Sequence, residues 1–131
     1  MKITGIEPIL AGDRYLFLKL TTDEGLVGYG ECGAWGYQEA TAGVLKQMEK
    51  MIVGLDPMNT EFIWNALARN LHFRGSITQA ALSGIDIALW DLKGKYFGVP
   101  CYQLLGGKTR EKIRIYVNAR GRNGDEIAEA A

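Results

Sequence analysis

The chain has 131 residues, a length that suits one domain with its own hydrophobic core. Its fifteen basic and fifteen acidic residues cancel, and the basic residues are scattered, so the electrostatic footprint of a nucleic-acid-binding protein is missing. No apolar run approaches membrane-spanning length, and the first residues do not form a signal peptide, which predicts a cytosolic protein without a membrane partner. The two cysteines, Cys32 and Cys101, lie far apart and predict reduced thiols.

The N-terminal part of the chain predicts an antiparallel meander of three strands. In residues 2–10, Gly5 and Pro8 weaken the strand pattern, which favours an edge strand over a central one. Residues 15–22 alternate between apolar and mixed positions and predict a half-buried strand. Three leucines are expected on its buried face: Leu16, Leu18 and Leu20.

A third strand is predicted at residues 26–31, after a turn at 23–25 that ends in glycine. Gly28 and Gly30 fall on one face of this strand. Missing side chains on one face permit a close approach, either of a packed helix or of a ligand, and the packed helix is the expected neighbour.

Two amphipathic helices are predicted after this meander. The first covers residues 39–53 and ends at Gly54; the second begins with Asp56 as its N-cap and Pro57 as its first helical residue, and runs to about Arg69. The residues expected to face inward are Thr41, Val44, Leu45, Met48, Met51 and Ile52 in the first helix, and Phe62, Ile63, Ala66 and Leu67 in the second.

The longest segment with consistent local signals is residues 76–100, which predicts a buried helix. Ser76 is expected to cap it, with Gln79 at the capping-box spacing, and Gly98 and Pro100 are expected to end it. A line of small residues at spacing four would let another backbone come close: Ala80, Gly84 and Ala88.

Asp86 and Asp91 interrupt this apolar helix and suggest a pair of catalytic or metal-binding carboxylates. Five residues on a helix correspond to ~500°, so the two side chains point roughly 140° apart and cannot share one ion. We therefore interpret both as structural residues that form a salt bridge or a hydrogen bond between helix and loop.

The C-terminal part predicts the first unit of a parallel βα fold. A short apolar turn at residues 101–105 ends in two glycines, residues 113–117 resemble a strand, and Asp125 begins a helix. Such a strand needs neighbours on its edges and helices on its faces. We therefore expect the chain to be a fragment of a longer protein.

Four segments, in this order, resemble the mandelate racemase and muconate-lactonizing branch of the enolase superfamily. They are TTDEGLVGYGE at 21–31, GLDP at 54–57, ALSGIDIALWDLKGK at 81–95 and GVPCYQLLGG at 98–107. They are spread over residues 21–107 of the chain. Arg14 and Tyr15 on the second strand and the FRG of 73–75 are most similar to the acid-sugar dehydratases of the family.

The resemblance implies an α+β capping domain at residues 1–107, a three-stranded antiparallel meander followed by a helical bundle. Residues 108–131 would begin a (β/α) TIM-like barrel, with its first strand and the start of its first helix. In the family, a Lys or His base removes the proton α to a carboxylate, and Mg²⁺ held by three acidic residues stabilises the enediolate. No residue of this chain matches those ligands or bases.

The function that the resemblance implies is that of a lid for a Mg²⁺-dependent enzyme acting on a small carboxylate, most similar to a sugar-acid dehydratase. Racemases, epimerases and cycloisomerases of the family share the same N-terminal capping domain, so these activities are the alternatives. A homo-oligomer is expected, because capping domains of the family pack against neighbouring subunits. A hypothesis of a different class is a non-catalytic oligomerisation or interaction module.

Three loops are expected to close over the barrel mouth: 11–15, 32–37 and 72–75. The single histidine, His72, lies in the third loop and is interpreted as structural or solvated. Trp35, between Gly33 and Gly36, is either a core plug or a substrate-facing wall. The other candidate substrate-binding residues are Arg14, Arg74 and Asn118, the last expected at the end of the first barrel strand. The alternative for Arg14 is a solvated strand end, and the alternative for Asn118 is an amide that caps a loop.

Overall fold

The computed structural model describes residues 1–116, 121 and 123–129 of the chain. These residues form three strands followed by helices, as the sequence predicts. The elements are β1 (Ile3–Ala11), β2 (Tyr15–Thr22), β3 (Val27–Glu31), α1 (Gln38–Ile52), α2 (Thr60–Asn70), α3 (Ser76–Phe97), α4 (Cys101–Leu104) and α5 (Gly124–Glu129).

The three strands form one antiparallel sheet in the order β1-β2-β3, which confirms the predicted meander and the edge position of β1. On the central strand, Leu18 lies opposite Pro8 on one side and Gly30 on the other. The three leucines of β2 are fully buried, because the alternation of the strand turns them all toward the helices: Leu16, Leu18 and Leu20.

Helix α3 packs against β3 at very short range, as predicted from the two glycines. A Cβ atom at Gly28 would lie 2.1 Å from the carbonyl oxygen of Ala88, and one at Gly30 would lie 2.0 Å from that of Gly84. Only glycine leaves room for these contacts, because any side chain carbon would overlap the helix backbone. The helix is therefore seated on the sheet by backbone contact.

The start of α3 differs from the prediction by one residue. Gly75 is the N-cap, and its backbone N–H donates to Thr78 Oγ1 (3.0 Å), so the expected pairing of Ser76 with Gln79 is wrong. Threonine at the third helical position gives the same backbone capping bond that glutamine was expected to give. The end is as predicted, with Gly98 left-handed at φ 66°.

Helix α2 starts later than predicted, and in both α1 and α2 fewer residues are buried than the sequence predicts. Asp56 holds a turn instead of a helix, since its Oδ1 accepts from the Met58 N–H (3.0 Å), and α2 begins at Thr60. Met51 and Phe62, both expected inward, are 41% and 61% exposed. The buried residues of the two helices are Thr41, Leu45, Met48, Ile52, Thr60, Ile63, Leu67 and Ala68.

Asp91 has the structural role predicted for it, at the open edge of β3. It accepts the backbone N–H of Tyr29 (2.8 Å) and pairs with Lys95, whose Nζ donates to the Val27 carbonyl (2.9 Å). The opposite edge is closed by Glu49, whose Oε1 accepts the Ile6 N–H (2.8 Å). Both edges thus carry capped backbone groups, which discourages pairing with further strands.

The segment predicted as the first barrel strand is not a strand over residues 113–116, the part of it that the structure describes. Ile113, Ile115 and Tyr116 are 78%, 79% and 83% exposed. A parallel strand is stable only between neighbouring strands and under helices, and the described residues supply neither at this place. The helix predicted from Asp125 is present as α5.

Candidate functional site: three loops at one end of the domain

The first two predicted lid loops lie side by side. Gln38 Nε2, at the start of α1, donates to the backbone carbonyl of Asp13 in the first loop (3.1 Å). The Cys32 N–H, at the start of the second loop, donates to the Leu16 carbonyl next to the first (2.8 Å). The hairpin β1-β2 and the loop after β3 are therefore joined by hydrogen bonds at the same end of the sheet.

A cleft of 460 Å³ opens between these two loops. Its floor combines a glycine turn with the N-terminal turn of α1. It is lined by Leu10, Gly12, Asp13, Gly36, Tyr37, Gln38, Glu39 and Ala40. The cleft has the size and the mixed polar and apolar lining that suit a small hydroxylated compound.

Trp35 projects into solvent from the second loop, with 82% of its surface exposed. It therefore does not plug the core. Beside it a hollow of 240 Å³ extends to Ser76 and Ile77 at the start of α3. This hollow brings the second loop next to the third, since Ser76 follows directly on 72–75. The three predicted loops thus share one end of the domain.

The predicted arginines occupy this end in different ways. Arg14 is exposed on the first loop and forms no ion pair with a described residue. It does not line the 460 Å³ cleft. Arg74 is also exposed, but its Nη2 donates to the Ala68 carbonyl (3.4 Å), which turns it back toward α2. Asn118 lies outside the described residues.

Several residues at this end were missed by sequence reasoning. Gln38 and Glu39 line the cleft although they belong to the first turn of α1, and Phe73 in the third loop is 93% exposed. The signal for Phe73 was available, because an aromatic residue in a short linker between two predicted helices has no helix or strand of its own to bury it. No such signal exists in the sequence for Gln38, since its place at the cleft depends on its hydrogen bond to the distant Asp13 carbonyl.

The described residues contain no group of three or more His, Cys, Asp or Glu side chains arranged to hold a metal ion. Cys32 is buried, and burial raises the pKa of its thiol to about 11, so it is protonated and unreactive at neutral pH.

Residues 9–106 match the family model for the N-terminal domain of mandelate racemase and muconate lactonizing enzyme. The chain belongs to this family. It is 42% identical over 128 residues to the D-galactonate dehydratase of Pectobacterium atrosepticum, covering 97% of this chain and 34% of the relative. It is also 40% identical to the D-galactonate dehydratase of Verminephrobacter eiseniae, covering 88% of this chain and 31% of that protein.

Solved structures of the enolase superfamily share the fold. An enolase from Pantoea ananatis with bound D-gluconate and Mg aligns with a TM-score of 0.89 at 36% identity, covering 98% of this chain and 32% of the other. A superfamily member from Salmonella Typhimurium aligns with a TM-score of 0.88 at 40% identity, covering 98% and 38%. The chain spans about a third of the length of the curated relatives that it matches.

No helix among the described residues is long and apolar enough to cross a membrane.

Proposed function

We propose that the chain is the lid and substrate-selecting part of a Mg²⁺-dependent sugar-acid dehydratase, whose catalytic barrel is supplied by further polypeptide. The observation that carries this proposal is the meeting of the three loops at one end, with an exposed Trp35 and with Arg14, which forms no ion pair with a described residue. The D-galactonate dehydratases among the relatives and the gluconate-bound enolase support the choice of an acid sugar. The division into a lid at 1–107 and a barrel start at 108–131 belongs to the same proposal.

Trp35 is proposed to cover the substrate and keep water out. Its indole is 82% exposed on a loop that contains Gly36 at φ 81°, a left-handed conformation that glycine adopts without strain, so the loop presents a rigid aromatic ring to solvent. An acid sugar presents apolar C–H faces as well as hydroxyls, and an aromatic ring covers such a face without needing a hydrogen-bond partner. Closure over the substrate would then exclude water from the reaction.

Arg14 and Arg74 are proposed to contact the acidic or hydroxylated end of the substrate. A guanidinium group presents a planar fork of donors that matches a carboxylate. Arg14 has no ion-pair partner among the described residues that would hold it back, whereas Arg74 must first leave its hydrogen bond to the Ala68 carbonyl. Asn118 is proposed to contact the substrate from the end of the first barrel strand.

Mg²⁺ would stabilise the negative charge that develops when the α-proton of the acid is removed. The described residues offer no ligand set for it. No step of the proposed role of this chain passes through the metal: these residues cover, orient and select the substrate. A cytosolic homo-oligomer is part of the same proposal.

A racemase, epimerase or cycloisomerase is the second candidate, because the matched family model covers racemases and lactonizing enzymes. The test is a screen of the complete enzyme against galactonate, gluconate and related acid sugars, with and without Mg²⁺. The expected result is Mg²⁺-dependent formation of the dehydrated keto acid. Racemisation or lactonisation without dehydration would support the second candidate and overturn the first.

A further inference from the structure

The turn of the first loop, residues 12–14, is held from outside its hairpin by one side chain. The turn is exposed, and nothing lies within 4 Å of the position that a Cβ atom at Gly12 would take. Gln38 Nε2 donates to the Asp13 carbonyl (3.1 Å) from 25 residues further along the sequence. No other described residue forms a hydrogen bond with residues 12–14. The place of this turn therefore depends on Gln38.

The second loop is fixed to α1 without help from Gln38. Thr41, which is fully buried, donates to the Tyr37 carbonyl with its N–H (2.9 Å) and with its Oγ1 (2.9 Å). Within the loop, the Tyr37 N–H donates to the Ala34 carbonyl (2.8 Å), and the Ala34 N–H donates to the Cys32 carbonyl (2.8 Å). Loss of the Gln38 amide would thus release the first loop and leave the second in place.

The place of the first loop determines where the Arg14 side chain begins. Arg14 follows directly on Asp13, is exposed and forms no ion pair with a described residue. A long side chain binds a ligand at a lower entropic cost when its backbone is already ordered. Asp13 and Gln38 also line the 460 Å³ cleft from the first loop and from α1, so their hydrogen bond fixes the distance between these two walls.

We propose that Gln38 is a positioning residue that holds the first loop through Asp13, so that Arg14 is presented to the acidic or hydroxylated end of the substrate. The substrate in this role rests on the proposed function, whereas the hydrogen bond between Gln38 and Asp13 does not. A carboxamide suits the role, because its NH₂ group donates to a carbonyl without carrying a charge. The neighbouring Glu39 cannot replace it, since a carboxylate only accepts hydrogen bonds.

The decisive substitution is Gln38→Glu, which keeps the shape of the side chain and removes the donor. A negative charge in the first turn of α1 is favourable for the helix, so thermal unfolding is expected at the temperature of the parent chain or above it. Backbone order parameters from ¹⁵N relaxation of the 131-residue chain are expected to fall at 12–14 from about 0.85 to below about 0.6, and to stay unchanged at 34–37. Unchanged order at 12–14 would overturn the proposal.

Two further variants separate the lost donor from the added charge. Gln38→Met also lacks the donor and adds no charge, so it is expected to release residues 12–14 as Gln38→Glu does. Gln47→Glu makes the same change at an exposed position of α1 that does not line the cleft, and it is expected to leave residues 12–14 ordered. Release by Gln38→Glu alone, or by Gln47→Glu as well, would assign the effect to charge and overturn the proposal.

Steady-state kinetics of the complete enzyme test the link to Arg14, with the acid that it turns over as substrate. Gln38→Glu is expected to raise KM about three- to tenfold, which corresponds to about one hydrogen bond, with a smaller change in kcat. In an Arg14→Ala background the same substitution is expected to have no further effect, because it acts through Arg14. Losses that simply add would overturn this link. An enzyme that dehydrates no acid sugar would refute the proposed function, while the order of residues 12–14 in the 131-residue chain still decides the role of Gln38.

Discussion

At the scale of single residues, the two aspartates of α3 show how different surroundings give identical side chains different roles. Asp91 accepts a strand N–H and pairs with a lysine, while Asp86, five residues earlier, has neither kind of partner among the described residues. Helical geometry predicted from the sequence that the two point in different directions. It could not predict which one meets β3, because that depends on how the helix sits on the sheet.

Asp86→Asn is expected to stabilise the chain at neutral pH. The pKa of Asp86 in the folded chain is raised above its ordinary value by burial and by repulsion from Glu61, so folding favours the neutral form of this carboxyl. Its contribution to stability is fully present below the ordinary pKa and is lost as the pH rises through the pKa of the folded state. Asparagine stays neutral, so the variant should exceed the parent in unfolding free energy at about pH 7 and match it at about pH 3. Urea denaturation at both pH values measures this.

The matched variant on the same helix is Asp91→Ala, which should destabilise the chain by about 1 kcal/mol because the Tyr29 N–H loses its acceptor. A loss of stability in Asp86→Asn at neutral pH, comparable to that of Asp91→Ala, would show that Asp86 has a stabilising partner after all.

Trp35→Ala is expected to leave the fold unchanged, since the side chain is 82% exposed. Its unfolding free energy should change by less than ~0.5 kcal/mol, whereas Leu89→Ala, at a buried site, should cost ~2–5 kcal/mol. In the complete enzyme Trp35→Ala should lower kcat/KM by about ten- to a hundredfold, ~1.4 kcal/mol per tenfold. Thermal unfolding and steady-state kinetics measure the two effects, and a large loss of stability would place Trp35 in the core.

At the scale of elements, local signals predicted the strands and the close approach of α3, because alternation and glycine spacing act over a few residues. The width of the buried faces was less predictable. Met51 and Phe62 follow the apolar spacing of their helices yet lie exposed, because only four positions of each helix are buried. The loops that carry the candidate site were predicted as segments, but their meeting through Gln38 and Asp13 required the fold.

Gly30→Ala is expected to destabilise the chain by about 2–3 kcal/mol, since its Cβ would lie 2.0 Å from the Gly84 carbonyl oxygen and α3 would have to move away from β3. Gly43→Ala is the control, because it changes an exposed position of α1 where nothing lies within 4 Å. It should stabilise by about 0.5–1 kcal/mol through helix propensity. Equal effects of the two changes in urea denaturation would contradict the backbone contact between α3 and β3.

At the scale of the whole molecule, the described chain divides into a packed sheet with its helices and an exposed stretch at 113–116. Core residues from β1 and β2, from α1 to α3, and Cys32 directly after β3 form one cluster. Sequence reasoning predicted a strand at 113–117 from its apolar alternation, which is a correct signal only when neighbouring strands are present. The described residues place no neighbouring strand beside 113–116, and for this reason the segment is not a strand there although its local sequence suits one.

Amide hydrogen exchange is expected to divide the chain in the same way. The amides of β2 and of the middle of α3 should exchange only through global unfolding, while those of 113–116 should exchange at nearly unprotected rates. Strong protection of 113–116 in a chain shown to be monomeric would mean that this segment has found a strand partner.

The most direct test of the proposed function is a chimaera in which residues 1–107 of this chain replace the matching part of the Pectobacterium atrosepticum D-galactonate dehydratase, to which the chain is 42% identical. If the chain is a sugar-acid dehydratase lid, the chimaera should dehydrate D-galactonate or D-gluconate in the presence of Mg²⁺, and Trp35→Ala within it should lower kcat/KM. A folded, Mg²⁺-binding chimaera that dehydrates neither acid would contradict the proposal.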